Sequence, residues 1–292
     1  QASIRARKPM NVYFLGKKIE DLTTFPPLAA SFNAISTIYD LQSRPEWKDL
    51  ITVPSHLSGQ PVSIYNAPLR SAEDANRKTR AARALAEVVG CCTHRCTGSE
   101  AFAGLGPACY DMDQDLGTHY FDRFMKFLDY VQRNDLTCTV TVTDVKGLRT
   151  LAPHEQPDPD AYVHINEVRD DGIVISGYKC NQTGILFAHE IVIVPTTNMR
   201  PEDKDFALAC AVPADTPGLT FVLGRTPQDK RFFEVGGDIE GIDLGKKYAD
   251  HQALVYFDHV FVPNDRVFMC GETKYVGRLL SYFTAVHRLT AG

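Results

Sequence analysis

The chain has 292 residues, 44% of them hydrophobic and 23% charged, so it can bury a substantial core and its composition does not predict disorder. Its formal charge is −5, with acidic and basic residues interspersed, which excludes the basic stripe of a nucleic-acid-binding protein. No apolar run approaches the ~18 residues that cross a bilayer, and no signal peptide is visible, so we expect a cytoplasmic protein that does not bind membranes. Because the sequence opens on polar Gln1 without an initiator methionine, we expect it to be part of a longer chain.

The first part of the chain has the apolar spacing of helices. One helix is predicted from Ala29 to Leu41, ended by Pro45, and the stretch 54–68 is predicted to be loop. A second helix is predicted to begin at Ser71 and to run into a group of cysteines, with Gly90 expected to bend or interrupt it. A third is predicted over 119–133.

After residue 135 the pattern changes to the β-branched alternation of strands. Strands are predicted at 136–143, 161–168, 172–178, 190–194, 206–212, 219–223 and 253–257, and the helical period returns from Gly271. We therefore predict an α+β chain of three domains: a helical domain over 1–135, an antiparallel β domain over 136–268 and the start of a second helical domain over 269–292. The Gly-rich turn of a Rossmann dinucleotide site is not present.

Three of the eight cysteines, Cys91, Cys92 and Cys96, lie within six residues. In a reducing compartment such a group more often binds a metal or packs in the core than forms disulfides. If the segment is helical, Cys92 and Cys96 share a face with Cβ atoms roughly 5–6 Å apart, which suits one iron–sulfur cluster or metal ion. Two cysteines are fewer than the usual four ligands, so helix packing by small residues is the alternative. We expect Cys91 to be a core residue and His94 to be structural.

The chain also resembles a known family along almost its whole length. The segments that carry the resemblance are 12–20, 134–136, 143–149, 170–174, 182–184 and 257–266. They are similar to those of the 4-hydroxybutyryl-CoA dehydratase (vinylacetyl-CoA isomerase) family, within the 4-hydroxyphenylacetate hydroxylase superfamily. This resemblance implies an acyl-CoA-dehydrogenase-like fold with a middle β-barrel domain, bound FAD, a 4Fe-4S cluster, a CoA-thioester substrate and a homotetramer.

The resemblance also implies the cluster ligands. They are Cys92, Cys96 and His287, with a further cysteine two residues beyond Gly292. Taken alone, His287 is a typical packing or capping residue. Within the family the histidine ligand is thought to act also as a base, which makes His287 the expected catalytic residue.

Two loops are implied to bind the flavin. The predicted contact residues are Val142, Thr143, Asp144, Lys146, Gly147, Arg149, Gln182 and Thr183. The first loop offers backbone donors, a lysine and an arginine, groups that suit a flavin ring and a pyrophosphate. From the residues alone, the alternative is a turn that joins a strand to a loop, with Lys146 and Arg149 as solvated charges.

Two positions depart from the dehydratase pattern. Gln252 replaces a glutamate that is a candidate acid/base or substrate-contact group, and Ala291 replaces a tyrosine four residues after the histidine. A glutamine cannot exchange a proton near neutral pH, and an alanine has no hydroxyl. The ligand set therefore favours a flavin and iron–sulfur lyase or isomerase, whereas these two losses keep two alternatives open. One is an aromatic hydroxylase that uses FADH2 from a separate reductase, and the other is a scaffold without activity.

Overall fold

A computed structural model describes residues 2–91, 94–224 and 247–291. In these ranges the helices are α1 (Ala2–Arg5), α2 (Ala29–Gln42), α3 (Pro45–Ile51), α4 (Ala72–Val89), α5 (Cys96–Leu116), α6 (Tyr120–Arg133) and α7 (Thr273–Ala291). The strands are β1 (Asn11–Phe14), β2 (Lys17–Lys18), β3 (Thr52–Pro54), β4 (Pro61–Ser63), β5 (Cys138–Thr141), β6 (His164–Val168), β7 (Gly172–Thr183), β8 (Glu190–Ile193), β9 (Leu208–Pro213), β10 (Leu219–Leu223), β11 (Gln252–Pro263) and β12 (Val267–Cys270). The mixed order of helices, strands and a final helix is as predicted. No helix in these ranges is both long and apolar enough to cross a membrane.

The strands form two main sheets. One has six strands in the order β2-β1-β10-β11-β7-β6, the other has four in the order β12-β9-β8-β5, and β3 pairs with β4. Most pairs are antiparallel as predicted, but β1 with β10 and β5 with β8 run parallel. In the described ranges both sheets are open, with two edges each, so the closed antiparallel barrel is corrected to two open sheets. Strands β1 and β2 lie in the part predicted as helical, and they form one edge of the six-stranded sheet.

Helix α4 begins where the sequence predicts and ends earlier than predicted. The Ser71 hydroxyl accepts the Asp74 backbone N–H at 3.1 Å, a standard N-cap. Gly90 follows the helix in the left-handed conformation (φ 62°), which ends it. The prediction that this helix continues through the cysteines is therefore wrong, because α5 starts afresh at Cys96. Likewise Pro45 does not end α2 but occupies the first position of α3, where its missing N–H is not needed.

Helix α5 was not predicted. Three glycines and Pro107 lie inside it, and these residues have low helix propensity. Two of the glycines are required by packing. A Cβ on Gly98 would lie 2.3 Å from the Cys138 carbonyl oxygen of β5, and one on Gly104 would lie 3.1 Å from the Leu279 carbonyl oxygen of α7. The neighbouring backbones therefore require glycine at these positions, and glycine lowers the helix propensity by which the sequence would reveal α5.

Helices α5 and α7 pack antiparallel. Arg278 forms an ion pair with Asp111 at 2.9 Å near one end of the helix pair. At the other end, His287 meets Glu100 with 2.7 Å between Nδ1 and Oε2. This packing brings His287 to the N-terminal end of α5, where Cys96 lies.

Candidate functional site

Two of the predicted cluster ligands, Cys96 and His287, lie on α5 and α7, which pack against each other. Cys96 is the first residue of α5 and is half-buried, whereas Cys92 lies outside the described residues. Residues 94 and 95 are not helical, so the helix on which the predicted one-turn spacing depends does not run through them, and the position of Cys92 relative to Cys96 stays a prediction. Burial raises the pKa of the Cys91 thiol to about 12, which fits the core role predicted for it.

His287 is anchored by a residue that the sequence analysis missed. Its Nδ1 lies 2.7 Å from Oε2 of Glu100, a side chain that is 1% exposed on α5. Glu100 is one helical turn after Cys96, so both residues share a face of α5. The structure therefore brings His287 and the Cys96 end of α5 together across almost two hundred residues of sequence.

A buried lysine, Lys78, lies near Glu100. The Lys78 ammonium, on α4, donates to the Ser99 hydroxyl and to the Ala67 carbonyl oxygen. Burial lowers the pKa of Lys78 to about 8, and the charge of Glu100 opposes that shift. Lys78, Ser99 and Glu100 thus form a buried polar layer behind His287. Lys78 could have been found from the sequence, because it is a lysine on the otherwise apolar, buried face of the amphipathic helix α4.

A second buried polar group links the cysteine segment to the sheet. The Leu186 N–H donates to Nε2 of His251 at 3.0 Å, so the protonated Nδ1 of that ring donates to the Ser31 hydroxyl at 2.6 Å. The ring of His94 packs edge-on against His251, with 5.7 Å between centroids. Burial lowers the pKa of His94 to about 4, so both rings are neutral near pH 7. His94 is buried and packs against His251, in keeping with its predicted structural role.

The two predicted flavin segments lie side by side. The Thr143 carbonyl oxygen accepts the Cys180 N–H at 2.8 Å and the Gln182 side-chain amide at 3.1 Å. The Val142 carbonyl oxygen accepts from Lys179 at 2.8 Å. These carbonyl groups and the Gln182 amide nitrogen therefore hold the two segments together.

Asp144 has a structural partner inside this region. Its carboxylate forms a fully buried ion pair with Lys179 at 2.7 Å. Burial raises the pKa of Asp144 and lowers that of Lys179, and the attraction between the two charges opposes both shifts. A contact between Asp144 and a flavin stays a prediction, and its carboxylate is already bound within the protein.

Lys146, Gly147 and Arg149 lie on the outward part of the first loop. Lys146 has φ 71° and Gly147 φ 42°, so the chain turns through the left-handed region here. A Cβ on Gly147 would collide with Gln156, whose amide holds the loop through Leu148. Lys146 is half-buried and Arg149 is exposed, so these are the cationic side chains that the loop can offer to a flavin.

Gln252 lies beside the second predicted flavin segment. It is the first residue of β11 and the cross-strand partner of Thr183 on β7. Its side chain is exposed, and the preceding residue is the buried His251. The structure therefore places Gln252, which replaces the glutamate of the dehydratase pattern, next to Thr183. Its neighbour His251 contacts His94, so Gln252 also lies near the cysteine segment. Position 291 lies in the last turn of α7, and its side chain is outside the description.

The donors near α5 suit an iron–sulfur cluster in kind, although the described set is incomplete. A cysteine thiol and an imidazole are both iron ligands. The Nδ1 contact with a carboxylate is the arrangement expected for a metal-bound histidine. The residues that the structure describes contain no group of three or more His, Cys, Asp and Glu side chains able to hold a metal ion by themselves. Cys92 is not among them, so the described donors fit part of the predicted ligand set.

Comparisons with known proteins find relatives along almost the whole chain. The family model described as 4-hydroxyphenylacetate 3-hydroxylase N terminal matches residues 1–269. The 4-hydroxybutyryl-CoA dehydratase/vinylacetyl-CoA-Delta-isomerase of Clostridium aminobutyricum is 40% identical over 282 residues, which are 96% of this chain and 57% of that protein. An oxygen-tolerant archaeal 4-hydroxybutyryl-CoA dehydratase from N. maritimus has a TM-score of 0.91 at 36% identity, covering 98% of this chain and 56% of that one.

A third relative is the oxygenase component (HpaB) of 4-hydroxyphenylacetate 3-monooxygenase, solved in complex with FAD. It has a TM-score of 0.79 at 25% identity and covers 99% of this chain and 60% of that one. The chain thus spans a little over half the length of these relatives, and it is more similar to the two dehydratases than to this oxygenase. The predicted resemblance is confirmed, and the chain belongs to the 4-hydroxyphenylacetate 3-hydroxylase N-terminal family.

Proposed function

We propose that this chain is part of a lyase or isomerase that acts on a short-chain hydroxyacyl-CoA or enoyl-CoA with FAD and a 4Fe-4S cluster. The observation that carries the proposal is the bond between His287 and buried Glu100, one helical turn from Cys96. Such a carboxylate–imidazole pair next to a cysteine is the support expected behind a metal ligand. The 40% identity to the clostridial dehydratase supports the same reaction class. By the same likeness we propose a cytoplasmic homotetramer.

In this proposal Cys92, Cys96 and His287 hold the cluster, and the segments around Thr143 and Thr183 hold FAD. When bound, the flavin supplies transient electron acceptance and the cluster supplies Lewis-acid polarisation of an oxygen. Held by these residues, both groups would lie near Gln252, because Gln252 pairs with Thr183 and follows His251, which contacts His94 in the cysteine segment.

The contact with Glu100 gives the two ring nitrogens of His287 different roles. Because Nδ1–H donates to Glu100, Nε2 carries the lone pair of the neutral ring. That nitrogen can bind a metal or accept a substrate proton, but it cannot do both at once. If Nε2 held the cluster, that nitrogen would not be available as a base, so the two roles proposed for His287 would exclude each other while the metal is bound.

Gln252 sets the expected limit on activity. Its amide can donate and accept hydrogen bonds beside Thr183, so it can orient a thioester or the flavin, but it cannot transfer a proton. We expect weaker proton transfer than an enzyme with glutamate at this position, by roughly 10²–10⁴-fold where general acid–base catalysis is lost.

The test uses the intact protein purified without oxygen. FAD, iron and acid-labile sulfide are measured, and formation of the conjugated butenoyl-CoA is followed with 4-hydroxybutyryl-CoA and with vinylacetyl-CoA. Gln252→Glu should raise turnover, whereas Gln60→Glu, an exposed glutamine, should not. Protein with neither iron nor turnover on either thioester refutes the proposal. If flavin is absent too, a scaffold without activity is the better description.

A second candidate is an FADH2-dependent aromatic hydroxylase with a separate flavin reductase. It is favoured by the likeness to the FAD-bound oxygenase and by the glutamine at position 252. This candidate predicts oxygen-dependent hydroxylation of 4-hydroxyphenylacetate when NADH and a flavin reductase are supplied. It also predicts purified protein without iron.

A further inference from the structure

The Glu100 carboxylate is buried, and a buried charge destabilises the folded state unless neighbouring groups compensate it. It is 1% exposed, at the contact of α4, α5 and α7, and it accepts the Nδ1–H of His287 at 2.7 Å. An ionised carboxylate removed from water requires opposite charge and hydrogen bonds nearby. Two other helices provide these groups: Lys78 on α4 is the opposite charge, and His287 on α7 is the hydrogen-bond donor.

Lys78 provides the opposite charge. It is 2% exposed, and its ammonium is held by the Ser99 hydroxyl and the Ala67 carbonyl oxygen. Burial lowers the pKa of this lysine, and the nearby charge of Glu100 opposes that lowering. Lys78 lies on α4 and its partner Ser99 lies on α5, so hydrogen bonds hold the ammonium group in place near the Glu100 carboxylate.

Contacts on two sides restrict the orientation of the His287 ring. One edge of the His287 ring is bound to Glu100, while its face lies parallel to the Phe283 ring, with 6.0 Å between centroids and 6° between planes. The His287 side chain is 51% exposed, in contrast to its partner. A carboxylate on Nδ1–H fixes the tautomer and increases the electron density at Nε2, which makes that nitrogen a stronger ligand.

We propose that Glu100, backed by Lys78, is a positioning residue that fixes the His287 tautomer and directs Nε2 toward the iron–sulfur cluster. This inference rests on the proposed function, because it assigns a role relative to the cluster. It goes further in naming two helices, α4 and α5, that act on a ligand carried by a third. Loss of such a partner typically costs 10–100-fold in metal affinity or activity.

The experiment compares wild type, Glu100→Gln and Glu87→Gln, all as intact protein purified without oxygen. Glu87 is an exposed glutamate on α4 that pairs with Arg83, so its variant removes a carboxylate without touching the site. Two readouts are used: the rate of iron loss to a chelator, and the ¹⁵N hyperfine coupling of the reduced protein grown with labelled histidine. FAD content reports correct folding.

We expect Glu100→Gln to lose iron 10–100-fold faster than wild type and to change the histidine coupling, with Glu87→Gln unchanged in both. If Glu100→Gln matches wild type in both readouts while wild type carries iron and sulfide, the positioning role is refuted and the proposed function stands. If wild type carries no iron and sulfide, the proposed function and this inference fail together.

Should Glu100→Gln fail to bind FAD, Glu100→Asp decides the question. It keeps the charge but withdraws the carboxylate by one methylene, so the bond to Nδ1 must lengthen. We expect FAD binding to be retained and iron loss to lie between wild type and the 10–100-fold limit. A Glu100→Asp protein with the wild-type rate of iron loss and the wild-type coupling overturns the proposal.

Discussion

The contact between α5 and β5 allows a quantitative test of the fold around the cysteine. A Cβ on Gly98 would lie 2.3 Å from the Cys138 carbonyl oxygen, whereas ordinary contact begins at 3.4 Å. The first turn of α5 would have to withdraw from the strand by about 1 Å. Both sides of this contact are backbone, so no side chain can rotate away. Overpacking of this kind costs about 1–3 kcal/mol, and we expect the upper end, offset by about 1 kcal/mol from replacing a helical glycine with alanine.

Gly106→Ala is the matched control, because it lies in the same helix and faces only a ring. There the nearest atom is Cε1 of Phe124, at 3.3 Å, which a small ring movement can relieve. Gly106→Ala should therefore change stability by between zero and about +1 kcal/mol. We expect the two variants to differ by at least about 2 kcal/mol, or roughly 4 °C or more in Tm.

Thermal unfolding of the intact protein, followed by circular dichroism, measures this difference. On the proposed function, the iron content of the Gly98→Ala protein should fall as well, because Gly98 is two residues from Cys96. A Gly98→Ala protein with a Tm equal to or above that of Gly106→Ala would show that α5 does not press against β5 as described.

Capping, charge burial and proton binding provide three smaller tests. Ser71→Ala removes the N-cap of α4 and should lower the free energy of unfolding by about 1 kcal/mol in urea titrations, whereas Ser71→Asp should be neutral; equal losses in both would argue against the cap. Asp144→Asn leaves the Lys179 ammonium buried without its counter-charge and should cost about 3–5 kcal/mol, visible as a lower Tm; an unchanged Tm would contradict this. Lys78 has a pKa of about 8 when folded against 10.5 in the unfolded chain, so between these pH values only the unfolded chain keeps the proton and stability rises with pH. Relative to Lys78→Met the rise should reach about 3 kcal/mol, and a difference that does not vary with pH would refute it.

Local patterns were sufficient for much of the fold. The N-cap at Ser71, the apolar stripe of α6 and the β-branched runs after residue 135 were read correctly, because each depends on neighbours in sequence. Helix α5 was missed, since Gly98 and Gly104 lower its propensity for the sake of contacts with β5 and α7. The parallel pairing of β1 with β10 was missed for a related reason, because it joins segments some two hundred residues apart.

The candidate site divides in the same way. By itself the sequence determined the family, the residue types at Cys96, His287 and Gln252, and the segments around Thr143 and Thr183, because these are chemical identities and motifs. Only the tertiary structure decided that His287 faces Glu100, that Lys78 lies behind them, and that Gln252 pairs with Thr183. Such pairings depend on which helices and strands pack together, and packing is a long-range outcome of burial that no local pattern encodes.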